Sequence, residues 1–337
     1  MIALQRYGLG GIFAEYTSLT AKITLRLGGI FQIMGRYLFF LFIFPVFGLI
    51  FQGCEKDASQ RILFLGHPYN WRVGERVDPR VEALDFSEYD QIWLGGDVCG
   101  QTTKLPATLD YLDRLFHLRS NQTHWAWGNH DVLYGNTDSI RAHTGKPDYY
   151  VSWQDGYCLL VLNTNLFWYY ASPPQQQDCE AKAAQIALIK TVADSIQKAS
   201  HLVVLHHHAL LNEYKTDFPG NPADAFNGTT IPIKPTCDST SDFTRTVYPW
   251  LTAVQGRGIQ VVLIGGDLGM RTKTFAQQTP EGIWMLGSGI NNSMDPRYVP
   301  EYVTTFAPDQ VLILNYDRNK RTLDWGFESL NDLLPRR

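Results

Sequence analysis

The stretch Gly128-Asn129-His130-Asp131 decides the fold of this chain when it is read together with Gly95-Gly96-Asp97. A short apolar run precedes each stretch, from Gln91 to Leu94 in one case and from Trp125 to Trp127 in the other. An apolar run that ends at glycine predicts a buried strand, and α/β folds carry their chemistry in the loops that follow strands. The spacing leaves room for one crossover helix, so we expect two neighbouring parallel strands with polar side chains at their ends.

The rest of the chain continues this alternation of strands and helices. The runs Arg61 to Leu65, Leu202 to Leu205 and Ile259 to Ile264 predict further buried strands, and Tyr149 to Asn163 predicts a hairpin. Residues Asp178 to Lys198 have helical spacing with Asp178 as the expected cap. The pattern predicts an α/β fold in which two sheets form a sandwich flanked by helices, in a single domain.

The ordered pair Gly-Asp and Gly-Asn-His-Asp, followed by the histidine cluster at residues 206–208, resembles the signature of the calcineurin-like metallophosphoesterases. In that family five loops build a site for two metal ions. The resemblance implies an αββα sandwich over residues 61–330. It also implies two cations about 3.5–4 Å apart that clamp phosphoryl oxygens and generate the attacking hydroxide.

The resemblance also implies a set of metal ligands. Asp97 would be the carboxylate that bridges both cations, and Asn129 would offer a neutral carbonyl oxygen. In the triplet of histidines, His207 aligns with the late family histidine, and His206 is the alternative.

Two neighbouring residues would act on the substrate rather than on the metal. The resemblance implies that His130 protonates the leaving oxygen. Asp131 would orient that imidazole by accepting its other N–H.

Two motifs depart from the family pattern. His67 stands where the family has aspartate, and Tyr69 stands where it has histidine. In the last motif Asp267 replaces one histidine and Gly269 removes the other. Imidazole and carboxylate can replace each other as metal ligands, so we expect His67 and Asp267 to bind metal. Tyr69 is either a phenolate ligand, which would favour Fe(III), or a packing residue. The expected cofactor is one or two ions of Mn, Fe or Zn.

The segment from Tyr37 to Gln52 is apolar and uncharged, and Arg36 precedes it. It has the size of a signal-peptide core, and Gly53-Cys54 after it resembles a bacterial lipobox. We therefore expect residues 1–53 to be an extension and signal, Cys54 to carry lipid, and residues 54–60 to be a tether at the outside of a bacterial cell envelope. The alternative is a plain transmembrane anchor.

The net charge narrows the range of binding partners, and the cysteines indicate one candidate disulfide. The chain has a formal net charge of −4 and no run of Lys or Arg, which disfavours nucleic acid as a partner. Outside the cytoplasm a disulfide is permitted. The pair to consider is Cys179 with Cys237, and Cys237 lies in the polar region at residues 212–242.

The sequence thus predicts a metal-dependent hydrolase of phosphate mono- or diesters that acts on a small-molecule or phosphorylated substrate. A degenerate, non-catalytic binding protein of the same fold is the alternative, because family ligands are missing at the first and last motifs. An oxidoreductase with a mononuclear iron site has the residue types but no matching motif.

Overall fold

The computed structural model describes residues 59–167, 175–211, 237, 243–269, 272–291, 297 and 306–335. The predicted signal segment, Cys54 and most of the tether lie outside the described residues, and so does the polar region at residues 212–242 apart from Cys237. The boundaries given above for the extension and the tether therefore stay predictions. Within the described ranges, no helix is both long and apolar enough to cross a membrane.

The first sheet has five strands in the order β11-β10-β1-β2-β3. Strands β1, β2 and β3 run parallel, while β10 is antiparallel to both β1 and β11. Their bounds are β1 Ser59–Leu65, β2 Gln91–Leu94, β3 Thr123–Trp125, β10 Gln310–Asp317 and β11 Thr322–Ser329.

The second sheet has six strands in the order β4-β5-β6-β7-β9-β8. Its central strands β5, β6, β7 and β9 run parallel, and antiparallel β4 and β8 form the two edges. Their bounds are β4 Tyr150–Trp153, β5 Tyr157–Val161, β6 His201–His206, β7 Gln260–Gly265, β8 Thr274–Gln278 and β9 Trp284–Ser288. The predicted hairpin is thus the pair β4 and β5.

Six α-helices connect the strands in the described part of the chain. Their bounds are α1 Pro79–Glu82, α2 Pro106–Phe116, α3 Asn129–Val132, α4 Thr137–Thr144, α5 Gln176–Ser195 and α6 Tyr248–Gly256. Helix α5 begins before the predicted residue Asp178, because the side chain of Asp178 accepts the N–H of Gln175 (2.8 Å) from inside the first turn. Cys179 in this helix forms the expected disulfide with Cys237.

Among the residues that the structure describes, three separate apolar cores give the layers of the sandwich. Strand residues alternate between faces, so Leu63 of β1 packs on the side of α2 while Ile62 faces the second sheet. In β6, Val203 faces the first sheet and Val204 packs on the side of α5 and α6. The order of layers is helix, sheet, sheet, helix, which confirms the predicted αββα sandwich in one domain.

Candidate metal centre

Four side chains from four strand ends meet at the carboxyl edge of the parallel strands. The Nε2 atom of His67 lies 3.2 Å from Oδ2 of Asp97 and 3.2 Å from Oδ1 of Asp267. The Nε2 atom of His207 lies 3.5 Å from Oδ1 of Asp97 and 3.7 Å from Oδ1 of Asp267. The parallel strands β1, β2, β6 and β7 all end at this edge, which is why residues far apart in sequence come together here.

Both imidazoles are held in one tautomer by backbone carbonyl groups. The Nδ1 atom of His67 lies 2.9 Å from the oxygen of Gly266, and Nδ1 of His207 lies 2.8 Å from the oxygen of Gly95. A carbonyl oxygen only accepts, so Nδ1 must carry the proton in each ring. In the neutral ring, Nε2 then presents its lone pair to the two carboxylates. A histidine that binds metal is commonly fixed in this way.

The donor set fits a divalent cation. The Nε2 atom of His207 is buried and has no hydrogen-bond partner among the described residues. Ligand atoms of His67, Asp97 and His207 lie within 4.8 Å of one another, and so do those of His207, His208 and Asp267. Two nitrogen lone pairs that face two carboxylates repel unless a proton or a cation lies between them. Imidazole with carboxylate suits Zn, Mn or Fe.

The charges in this cluster are strongly coupled. Burial alone would raise the pKa of the Asp97 carboxyl, but the imidazoles of His207, His130 and His67 outweigh burial and hold that pKa below its ordinary value. Burial opposes the charged form of His207, and the carboxylates of Asp97 and Asp267 outweigh it and raise the pKa of that imidazole. The site therefore favours positive charge between its carboxylates.

The loops that carry His67 and Asp97 adopt left-handed backbone conformations. Their φ angles are 48° and 50°, which side chains other than glycine rarely adopt. Such conformations cost about 1–3 kcal/mol each and concentrate at functional sites. Gly128 has to be glycine here because an added Cβ would lie 2.1 Å from Oδ1 of Asp97.

Asp131 supports the Asp97 loop instead of orienting His130. Its Oδ2 accepts the backbone N–H groups of Asp97 (2.8 Å) and Gly128 (2.8 Å) and the indole N–H of Trp125 (3.2 Å). Its Oδ1 accepts the N–H of Val98 (3.0 Å) and the hydroxyl of Thr102 (2.7 Å). Burial and the nearby charge of Asp97 raise the pKa of Asp131 to about 6.

The imidazole of His130 has a different partner from the one expected. Its Nδ1 donates to the carbonyl oxygen of Gly100 (3.0 Å), so the orienting group is a backbone carbonyl and not the Asp131 carboxylate. The backbone N–H of His130 donates to Oδ1 of Asp97 (2.8 Å). His130 therefore lies beside the cluster with its Nε2 left for another group.

Asn129 and Tyr69 border the cluster. Asn129 is the first residue of α3, directly before His130, and it stays a predicted ligand. The ring of Tyr69 is buried and packs against His67 (5.8 Å between centroids), His130 (5.6 Å) and Trp71 (4.4 Å). These contacts make Tyr69 an aromatic wall of the site.

The histidine triplet divides between two faces. His207 faces the cluster, while His206 continues the face of β6 that packs on the helices, and its Nδ1 donates to the oxygen of His208 (2.8 Å). Burial lowers the pKa of His206 to about 3. His208, which sequence reasoning did not select, lies beside His207 and is held by Thr164, whose Oγ1 is 2.8 Å from its Nδ1. The sequence offers one signal for His208, which is its position after the end of β6. Beyond the strand, the alternation of side chains no longer determines which face a residue lies on.

Packing explains the glycine in the last motif. Gly269 has φ +78°, and an added Cβ would lie 2.8 Å from the oxygen of Gly287. A side chain at this position would be both strained and crowded. The path of the loop therefore excludes a side chain at position 269, including the histidine that the resemblance would place there.

The comparisons with known proteins add little. Neither a family profile nor a curated protein matches the chain. Among solved structures it is similar to wild-type Vps29 from Entamoeba histolytica in complex with Zn²⁺, with 9% identity and a TM-score of 0.29, over 80% of this chain and 99% of that chain. At this level of similarity the match indicates neither the family nor the activity of this chain.

Proposed function

We propose that the protein is a metal-dependent hydrolase of phosphate mono- or diesters. The observation that carries the proposal is the pair of fixed tautomers, which directs Nε2 of His67 and of His207 at the carboxylates of Asp97 and Asp267. A bound cation would polarise a phosphoryl oxygen and lower the pKa of an attacking water. Mn, Fe and Zn are the candidate ions, and one or two could bind per chain.

The residues of the chain divide the remaining work. The backbone N–H of His130 holds the carboxylate of Asp97 in place. The carboxylate of Asp131 holds the loop that carries Asp97. His130 leaves Nε2 for the substrate, where it would donate a proton to the leaving oxygen. The aromatic wall at Tyr69 and Trp71 would exclude water on one side.

A second candidate function is ligand binding without turnover at the cell envelope. The observation that favours it is the crowded backbone at Gly269, which leaves no room for the histidine ligand of the signature that the sequence resembles. No neighbouring residue in the sequence replaces that ligand. His130 favours the hydrolase, because a binding protein has no use for a group that protonates a leaving oxygen.

Metal content and stability test the proposal together. Protein purified without chelators is analysed for metals, and thermal unfolding is then followed with and without added Mn²⁺ or Zn²⁺. At a free metal concentration about 100 times Kd, binding should stabilise the wild type by about 2.7 kcal/mol. The variant His207→Gln should lose this shift, while His206→Gln, the matched control one residue away, should keep it.

Activity separates the two functions. The metal-loaded protein is assayed with aryl phosphate mono- and diesters, and His130→Ala should lower turnover about 10²–10⁴-fold with metal content unchanged. Metal binding without hydrolysis of any ester would support the binding protein. Absence of a metal-induced shift in the wild type would overturn the hydrolase.

A further inference from the structure

A cleft lies at the edge of the sandwich opposite to the metal centre. Its volume is about 490 Å³, and it is bordered by the turn between β4 and β5, by the segment between α5 and β6, and by the turn between β10 and β11. These segments flank the amino ends of the parallel strands β5 and β6, whereas the metal centre lies at the carboxyl end of β6. The volume falls in the usual range for ligand sites.

Three cationic side chains line this cleft. They are Lys198 after α5, Arg318 directly after β10 and Arg321 directly before β11. In the described part of the chain, no carboxylate forms an ion pair with any of the three. Arg321 is fixed on the side of Lys198, because its Nη2 donates to the backbone oxygen of that residue. Positive charges therefore gather here without a counter-charge, and an anion would relieve their repulsion.

Arg318 is the most constrained of the three cations. Its side chain is half-buried, and its Nε is enclosed by protein without a hydrogen-bond partner. The two Nη groups at its tip are not enclosed in this way, and they form no hydrogen bond with a described residue. A half-buried guanidinium is usually paired. An open, unpaired pair of Nη groups is the arrangement that binds the oxygens of a phosphate bidentately.

The carboxylates around the cleft do not cancel this charge. Among the described residues that line the cleft, Asp155 is the only carboxylate, and it is exposed in the turn between β4 and β5. Asp317 is bound by Lys320, with 3.1 Å between Oδ2 and Nζ. Asp90 lines a neighbouring cavity of about 620 Å³ and accepts the backbone N–H of Arg61 (2.8 Å). The cleft is thus locally cationic in a chain whose formal net charge is −4.

Helix α5 ends beside the cleft, and the partial negative charge at the carboxyl end of a helix opposes an anion. Arginine side chains occupy carbonyl oxygens at this end. The guanidinium of Arg257 donates to the oxygen of Ala193 in the last turn, and Arg321 donates to that of Lys198 just beyond the helix. These two cations offset the partial charge of the helix.

The amino end of β1 lies at the same edge as the cleft. Its first residue, Ser59, pairs with Asp317, which directly precedes Arg318. The predicted lipid attachment at Cys54 is five residues before Ser59, and five residues of extended chain span at most about 18 Å. The phosphate groups of a membrane surface are therefore within reach of this edge, in addition to those of soluble molecules.

We propose that this cleft is an anion site that binds a phosphate group through the guanidinium groups of Arg318 and Arg321 and the ammonium group of Lys198. The phosphate is carried by a soluble phosphorylated molecule or by the head group of an anionic lipid. A dianion balances three cations better than a monocarboxylate does, and its several oxygens can reach more than one guanidinium. The site is independent of the metal centre and of the hydrolysis proposed there.

Isothermal titration calorimetry of the full chain, freed of metal on a chelating resin, tests the proposal. The probes are inorganic phosphate, pyrophosphate and dihexanoyl phosphatidylglycerol, with acetate as the monocarboxylate for comparison. Phosphate should bind, pyrophosphate should bind more tightly because it carries more charge, and acetate should bind more weakly. Phosphatidylglycerol as the tightest probe would identify a lipid as the source of the phosphate, and pyrophosphate as the tightest probe would identify a soluble molecule.

Matched variants locate the binding. Arg318→Gln and Arg321→Gln should each weaken phosphate binding about tenfold, because each removes a charge-assisted hydrogen bond. Arg318→Lys keeps the charge without the bidentate geometry and should weaken binding by a smaller factor. Arg114→Gln removes an exposed arginine of α2 outside the cleft and should leave binding unchanged. The metal-free His207→Gln protein should also bind phosphate as the wild type does, since His207 belongs to the metal centre.

Four results would overturn the proposal. They are no heat of binding with phosphate or pyrophosphate at millimolar concentration, binding that Arg318→Gln and Arg321→Gln leave intact, binding that Arg114→Gln weakens equally, and binding that His207→Gln abolishes. Circular dichroism of each variant checks that the fold is retained, and the exposed change Arg321→Gln keeps the test decisive if Arg318→Gln unfolds. None of these results bears on the metal-induced stabilisation that tests the hydrolase.

Discussion

The exchange of ligand types between the first and last motifs can be tested by reversing it. The metallophosphoesterase signature that the sequence resembles has aspartate where this chain has His67 and histidine where it has Asp267, and the two side chains lie 3.2 Å apart. The single change His67→Asp places a third carboxylate beside Asp97 and Asp267. The double change His67→Asp with Asp267→His restores one imidazole and one carboxylate on the two loops.

The cost of the single change follows from these distances. The Nε2 atom of His67 lies 3.2 Å from each acid, and the shorter side chain of an aspartate would end about 2 Å further back. Two carboxylates about 5 Å apart repel by about 3 kcal/mol at an effective dielectric constant of 20. Protonation limits this cost, because holding a carboxyl of ordinary pKa near 4 protonated at pH 7 takes about 4 kcal/mol. We therefore expect the metal-free His67→Asp protein to lose about 2–4 kcal/mol at pH 7, and less at pH 5.

Urea denaturation in EDTA measures all four members of this cycle. The double variant should recover most of the loss, which would appear as a coupling energy well above the usual error of additivity, about 0.3–0.5 kcal/mol. If the losses of the two single variants simply add in the double variant, the two side chains do not face each other. The reasoning about exchanged ligands would then be refuted.

Four further outcomes are expected. Asp131→Asn should lower the free energy of unfolding by about 1–3 kcal/mol in urea denaturation, because the new amide leaves a buried N–H donor unpaired. The control Asp138→Asn changes a side chain that is 92% exposed and should leave the free energy of unfolding unchanged. Gly269→Ala should cost about 1 kcal/mol or more in thermal unfolding because of its positive φ, and an unchanged melting temperature would contradict the packing argument. Burial and, second to it, the cation of Lys146 lower the pKa of His124 to about 3. The stability that this neutral ring contributes is therefore complete above pH 6.5 and falls towards pH 3 by at most about 1.4 kcal/mol per pH unit, and the pH profile of the free energy of unfolding should be flatter in His124→Gln. Mass spectrometry of the native N-terminus should find a lipid-modified Cys54, and an intact apolar segment would contradict the signal assignment.

The scaffold was predictable because its signals are local. Apolar runs predicted β1, β2, β3, β6 and β7 with ends within one to a few residues of those observed, whereas the edge strand β8 was not predicted. The strand ends indicated where His67, Asp97, His207 and Asp267 would meet. Parallel strands bring their carboxyl ends to one edge, so this convergence needs no knowledge of packing.

The second layer of the site was not predictable in the same way. The partner of His130 is a carbonyl oxygen from the Gly100 loop, and any residue type could supply it. The five donors to Asp131 include three backbone N–H groups, which leave no trace in the sequence. His208 was missed because strand alternation stops fixing the face of a residue once the strand has ended.

The geometry also shows which positions of the cluster tolerate an exchange of imidazole and carboxylate. Asp97 lies at the centre, held by the N–H of His130 and, through its loop, by Asp131. His67 and Asp267 approach it from separate strand ends and are each other's neighbours. Because the cluster needs a balance of imidazole and carboxylate rather than a given residue on a given loop, exchange between these two loops preserves that balance. Gly269 has no such freedom, since backbone fills the space beside it.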